Sequence, residues 1–191
     1  MGKGKVVSTV FFNKPTLTAA EDLLGCFLCC RVGWKVIRLE ITEVEAYDGP
    51  ADRASHAHRG KTTRNAPMFG EAGRWYVYFT YGMHWMLNIV TGPKGYPAAV
   101  LIRRVRCRSQ TSAGSMTSKT STEISGPARL TKFLGIDKRF NNKKAAVETG
   151  LWIEKGNHID SRKVKRTPRI GVAYAGRVWS RKPFRFVLSD V

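Results

Sequence analysis

Two acids stand close together in the stretch Ile41-Thr42-Glu43-Val44-Glu45-Ala46-Tyr47, which Asp48-Gly49-Pro50 closes. A carboxylate beside a reacting centre takes a proton from water or steadies a developing positive charge. The Val, Ile and Thr content, with a turn signal behind it, reads as a strand. Successive side chains of a strand alternate between faces, so Ile37, Leu39, Ile41, Glu43, Glu45 and Tyr47 are expected on one side. That side begins apolar and ends in two acids and a phenol. An unpaired buried carboxylate is costly, and strand ends beside turns are where sites are commonly built. The competing reading is structural, with Glu43 and Glu45 neutralising two of the many Arg side chains. Of the two, Glu45 is the better candidate for chemistry, being nearer the turn and the irregular segment that follows it.

A second informative stretch runs from Trp75 to Val90. Aromatic and β-branched residues alternate up to Thr80, the pattern resumes after His84, and Gly82 marks a turn. The expected element is a hairpin with Tyr81 at or near its tip. An aromatic ring at an exposed tip has no core to enter, and in a basic protein it can wedge between bases. Tyr76, by contrast, reads as a residue that covers the sheet.

The 191 residues carry a formal charge of +19 and an isoelectric point near 10.3. Such an imbalance repels itself unless a polyanion relieves it, which makes nucleic acid the expected partner. There is no apolar run of membrane-spanning length and no strongly basic amphipathic helix, so a membrane is not expected. Met1-Gly2-Lys3-Gly4-Lys5 lacks the apolar stretch of a secretory signal. Cys26, Cys29 and Cys30 lie in an apolar, strand-like run with no second pair at zinc spacing, and read as reduced core residues.

These residues need elements to position them. Phe11 and Phe12 lead into a first helix capped by Thr18 with Glu21 three residues on, and Gly25 stops it. Strands are expected at about 26–32 and 35–47. Residues 48–73 show no period and form a long excursion, of the kind that is usually functional. They contain His56, His58, Arg59, Lys61, Arg64 and Asn65. His56 and His58 are two apart, but no third ligand accompanies them at a telling spacing. A strand over 98–105, a Ser/Thr-rich mobile loop over 106–122, and a helix from Pro127 to Gly135 come next. Strands at about 151–154, 169–174 and 184–188 complete the chain, with His84 and His158 as polar surface. No repeat and no second domain is evident, so one domain over 1–191 is expected, with 1–10 a short basic tail.

A carboxylate at a strand end, several aromatics, a candidate wedge and a large positive field suit chemistry on an extruded nucleobase. The sequence resembles the alkyladenine (3-methyladenine, methylpurine) DNA glycosylase family. The similar motifs are Glu43-Val44-Glu45-Ala46-Tyr47 with Gly49-Pro50, Arg64-Asn65 with Met68-Phe69, and Tyr76-Val77-Tyr78 through Tyr81-Gly82-Met83 to Asn88. Val100-Leu101-Ile102-Arg103, Ser125-Gly126-Pro127, Arg169-Ile170-Gly171-Val172 and Arg181-Lys182-Pro183 follow in order, so the likeness spans about Phe11 to Val187. His84 departs from it, standing where another aromatic is common.

The resemblance implies an α+β domain with a curved, mostly antiparallel β-sheet, surrounding helices and a protruding hairpin. It implies a monofunctional enzyme that flips alkylated or deaminated purines (the 3-methyladenine, 7-methylguanine, hypoxanthine and ethenoadenine class) out of double-stranded DNA. The enzyme would hydrolyse the N-glycosidic bond and leave an abasic site, with no cofactor and no metal. Glu45 would be the general base, and Arg103 with a backbone carbonyl near Ile170 would hold the water. Tyr47, His56 and Tyr78 would stack on the base, Tyr76 would support them, Asn88 would screen out guanine, and Tyr81 would fill the gap in the duplex. A monomer working inside the cell, with DNA, is expected. Two other functions compete. One is a glycosylase with lyase activity, which needs a lysine in an apolar setting. The other is a non-catalytic nucleic-acid-binding protein, which leaves the acids inside a positive site unexplained.

Overall fold

The computed structural model describes residues 4–107 and 123–189. Most of the expected 106–122 loop lies outside the described residues. The helices are α1 (Thr9–Phe12), α2 (Thr16–Leu23), α3 (Pro127–Leu134) and α4 (Gly176–Arg181). The strands are β1 (Phe27–Val32), β2 (Lys35–Asp48), β3 (Trp75–Thr80), β4 (His84–Val90) and β5 (Ala98–Arg106). They continue with β6 (Glu123–Ser125), β7 (Leu151–Glu154), β8 (Val164–Thr167) and β9 (Arg185–Leu188). Among the described residues these nine strands form one sheet in the order β3-β4-β5-β2-β1-β7, with β6 beside β5 and β9, then β8, branching from β2. Every strand pair is antiparallel. The fold is therefore the mixed α+β type expected, with the β3–β4 hairpin at one edge.

The 14-residue β2 is the spine. Its first half pairs with β1, and Glu43, Val44 and Glu45 pair with β9 on that same side, while β5 runs along the other. The pairing of β2 with β5 is irregular. Ile41 faces Val105, Glu43 faces Arg104 and Val44 faces Ile102, so Thr42 on one strand and Arg103 on the other have no opposite number. Such bulges re-aim side chains. Leu39 and Ile41 enter the core before the irregularity, and Val44 and Ala46 enter it afterwards. Strict alternation across the whole strand, which placed Ile41 and Glu45 on one side, therefore does not hold. The change of face lets β2 keep an apolar core side along its length while Glu45 and Tyr47 point the other way.

The core lies between the sheet and the helices. Phe12, Leu23, Leu28, Ile41, Val44, Leu87, Ile102, Leu130 and Phe186 are all essentially removed from solvent. Trp75 is also fully buried, and its indole N–H donates to the Leu151 carbonyl at 3.0 Å, so its one polar atom is satisfied.

Other local expectations are corrected. Pro15, not Thr18, occupies the N-cap of α2, and Thr18 sits inside the helix. Proline's missing N–H and fixed φ cost nothing at a helix start. Residues 169–174 are not a strand; they run into a short 3₁₀ turn at Ala173–Ala175, while the unforeseen β8 pairs with β9. The N-terminal residues are not wholly a free tail, because Val7 N–H donates to Ile153 O at 3.0 Å and Lys155 N–H to Lys5 O at 2.8 Å.

Phe186 on β9 seals the core behind Val44. Replacing it by Ala is expected to cost about 3–5 kcal/mol, read as a lowered urea midpoint at unchanged slope.

Candidate active site

The bulged pairing brings the two acids into different surroundings. Glu43 is buried and surrounded by guanidinium groups. Arg103 Nε donates to it at 2.9 Å, Arg104 Nε at 3.0 Å and Arg185 Nη1 at 3.0 Å. Burial alone would raise its pKa, but these cations more than offset that and hold the carboxyl below its ordinary value. The structural reading is therefore right for Glu43.

Glu45 is different. It is 0% exposed. Its Oε1 accepts the Ile170 backbone N–H at 2.7 Å, and its Oε2 accepts the Tyr47 hydroxyl at 2.9 Å. Arg103 Nη1 stands 3.3 Å from Oε2, so this one guanidinium bridges both acids. Burial raises the Glu45 pKa, opposed by Arg103, the Ile170 N–H and the Tyr47 hydroxyl, and burial prevails. A carboxylate with a raised pKa is a better proton acceptor near neutrality. Ile170, expected to contribute a carbonyl, offers its amide to Glu45.

Tyr47 joins this acid to a cleft lined by Tyr47, Ala54, His56, Met68, Tyr76, Tyr78, Asn88, Ala99 and Tyr174. The cavity between these walls is narrow, about 40 Å³. All five residues expected around a base thus meet in one place: Tyr47, His56, Tyr76, Tyr78 and Asn88. The His56 and Tyr78 rings lie edge to face at 4.6 Å, and Tyr76 and Tyr78 are tilted at 5.1 Å. Tyr76 is buried, as expected of a sheet-covering residue, yet it also lines the cleft and holds His56 Nδ1 at 2.9 Å through its hydroxyl. Asn88 faces Tyr76 across the β3–β4 ladder and donates its amide N–H to the Tyr76 carbonyl at 3.0 Å.

The cleft is kept electrically neutral. Burial pushes the Tyr78 phenol up to about 12, and raises Tyr47 and Tyr76 as well. Burial, helped by the Arg64 charge, lowers His56 to about 4. A larger surface hollow near Thr9, Asn13, Glu71 and Lys144 lacks this combination, since its one acid is engaged by Arg74.

The irregular segment after β2 is stapled by two side chains that sequence reasoning did not single out as site residues. Asn65 is buried, accepts the Thr62 N–H and donates to the carbonyls of His56 and Gly60. Asp52 is buried against Arg169, whose Nη2 donates to it at 2.8 Å. An acid between Pro50 and Ser55 in a loop gives no sequence signal of this pairing. Tyr174 was missed too; its hydroxyl donates to the Ala54 carbonyl at 2.9 Å and its ring forms part of the cleft.

Tyr81, at the hairpin tip, does not line the cleft. It is 82% exposed and adopts φ 53°, and Gly82 follows at φ 67°. Two consecutive positive φ values match the right-handed twist of a hairpin, and Gly82 meets the second without strain. Met83 beside them is also exposed.

The Methylpurine-DNA glycosylase family model matches residues 10–191, nearly the whole chain. The chain belongs to the methylpurine-DNA glycosylase family. It is 40% identical over 186 residues to a Streptomyces avermitilis protein provisionally named 3-methyladenine DNA glycosylase, covering 94% of this chain and 86% of that one. Relatives with the same provisional name in Myxococcus xanthus and Methanocella arvoryzae are also 40% identical, covering 94% and 92% of this chain and 88% of theirs.

In this glycosylase-family cleft His56 should be neutral at physiological pH. Because its folded pKa lies below 6.5, the unfolded chain binds the extra proton between about pH 6.5 and 4. Its contribution to stability is therefore complete above that window and is lost as pH falls through it. The imidazole followed by NMR is expected to titrate near pH 4; a midpoint near 6.5 would show that the ring is not held as described.

Proposed function

We propose that the protein is a monofunctional DNA glycosylase that extrudes alkylated or deaminated purines from duplex DNA and hydrolyses their N-glycosidic bond. The observation that carries this reading is Glu45, a fully buried acid coupled through Tyr47 to a neutral aromatic cleft. A purine turned out of the stack would lie between Tyr47, His56 and Tyr78, with Asn88 against its edge and Tyr81 in the vacated space. Alkylated purines such as 3-methyladenine and 7-methylguanine are already cationic. Electron-rich rings favour them, and a neutral cleft adds no repulsion.

In the chemical step a water oxygen bonds to C1′ as the C1′–N bond breaks. The bonding pair leaves with the purine and discharges its cation, and Glu45 accepts the water proton. The Glu45 charge also stabilises the positive character that develops on the sugar. Arg103 would orient both the acid and the water. Hypoxanthine and ethenoadenine carry no such charge and would need hydrogen bonds to the departing base. Water is favoured over an amine as nucleophile because no lysine among the described residues is buried, and an activated lysine needs desolvation.

The charge of +19 supports a duplex partner whose affinity falls steeply as salt rises. Glu45→Gln is expected to keep lesion-DNA binding while base release drops about 10²–10⁴-fold, measured under single turnover on a duplex with one 7-methylguanine. Unchanged release would reject Glu45 as the base. Tyr81→Ser is expected to bind undamaged duplex nearly as well and to lose preference for a lesion. Equal preference in a competition assay would count against the wedge.

A further inference from the structure

We propose that the buried Asp52–Arg169 pair is the positioning device of the general base, locking the segment that carries the Ile170 amide against Glu45. The inference rests on the glycosylase reading above and names residues that act through Glu45 without touching substrate.

Asp52 lies in the loop that leaves β2, and Arg169 lies 117 positions later, in the segment between β8 and α4. Both side chains are wholly buried. The pairing is forked: Nη1 and Nη2 of Arg169 each donate to a different Asp52 oxygen. Asp52 is held in turn by the backbone N–H groups of Asp48 at 3.1 Å and Ala54 at 3.0 Å. Arg169 Nη1 also donates to the Ala46 carbonyl at 2.9 Å, between Glu45 and Tyr47. Its guanidinium stacks on the Tyr47 ring at 4.8 Å and the Phe184 ring at 5.2 Å. One side chain thus touches the backbone next to the acid and the ring of the phenol that bonds it. Its chain neighbour supplies the amide that bonds it.

A surface ion pair would not serve this purpose. A planar fork between two buried groups fixes both distance and rotation. Around it, Ala54, Val172 and Ala175 are packed together with Tyr47 and Trp179, so the two loops meet as one wall. Removing the fork frees the Ile170 amide to move. A displacement of about 1 Å at a reacting group can cost about 100-fold in rate.

The groups facing Glu45 are Glu43 and Tyr47 from β2, Arg103 from β5, Tyr78 from β3, and Arg169, the Ile170 amide and Tyr174 from the later segment. Arg185 of β9 is its ladder partner but turns its guanidinium to Glu43. Arg169 and the amide both favour the charged form of Glu45. Losing them leaves burial less opposed, so the acid limb of the pH–rate profile moves to higher pH.

The test is single-turnover base release at saturating protein on a duplex with one 7-methylguanine, measured from pH 5 to 9. Wild type is compared with Arg169→Gln, Arg169→Lys and Asp52→Asn, each checked by thermal melting. Arg169→Gln is expected to slow release about 100-fold and shift the acid limb upward. Arg169→Lys keeps the charge without the fork and is expected to be slow with its limb nearer wild type; Asp52→Asn is expected to be slow too. If Arg169→Gln fails to fold, Arg169→Lys decides. Folded variants with lowered melting temperatures but wild-type rates and limbs would overturn the positioning role and leave only a structural one. Absence of release by the wild-type protein itself would instead overturn the glycosylase reading.

Discussion

A carboxylate with no solvent contact is the constraint around which this molecule is arranged. Taking Glu45 out of water is unfavourable unless donors replace the lost hydration. Three do so, from three parts of the chain: the Tyr47 hydroxyl, the Ile170 amide and Arg103. They are enough to hold the acid and too few to cancel its burial, so its pKa stays raised. Glu43, two residues away, has the opposite balance, with three guanidinium groups and a lowered pKa. Two like acids on one strand thus have their pKa values moved in opposite directions by their surroundings. Glu43 also occupies Arg104 and Arg185, which leaves Arg103 as the cation shared with Glu45.

That separation depends on the irregularity shared by β2 and β5. Each strand carries one residue without a partner, Thr42 and Arg103. The core side of β2 remains apolar on both sides of the irregularity, and Glu45 and Tyr47 turn to the opposite face. The same displacement aims Arg103 between the acids. Thr42 is buried and its hydroxyl has no partner among the described residues, a cost of the kind that persists where function constrains the chain. β9 then closes the edge of β2 at Glu43, Val44 and Glu45, so the backbone carrying the acids is bonded from both sides.

The charge of the whole and the charge of the cleft are opposed in character. The protein carries +19 overall, yet its cleft is lined by phenols and an imidazole held neutral by burial. A long-range positive field suits a polyanionic duplex, and a neutral, polarisable interior suits a cationic base. The exposed hairpin tip with Tyr81 and Met83 is apolar surface left uncovered beside this field, which suits intercalation between bases.

Much of this was legible in the sequence. The acid-ended strand, the hairpin with an aromatic tip, the excursion after Asp48 and the basic character all rest on local pattern, and local pattern is written residue by residue. So was the order of the two acids along β2, with Glu45 nearer the turn, because position along a strand is a local property. The parity of β2 was not legible: Thr42 becomes a bulge only because Arg103 does the same on a strand about 60 residues away. Nor was the pairing of Asp52 with Arg169, or the Ile170 amide on Glu45, since segments more than 100 residues apart meet only after the sheet has formed. The sequence by itself determined which chemistry was available. Tertiary structure took both acids out of water and decided which donors each received in its place, because desolvation and pairing belong to an enclosed volume and not to any one stretch of chain.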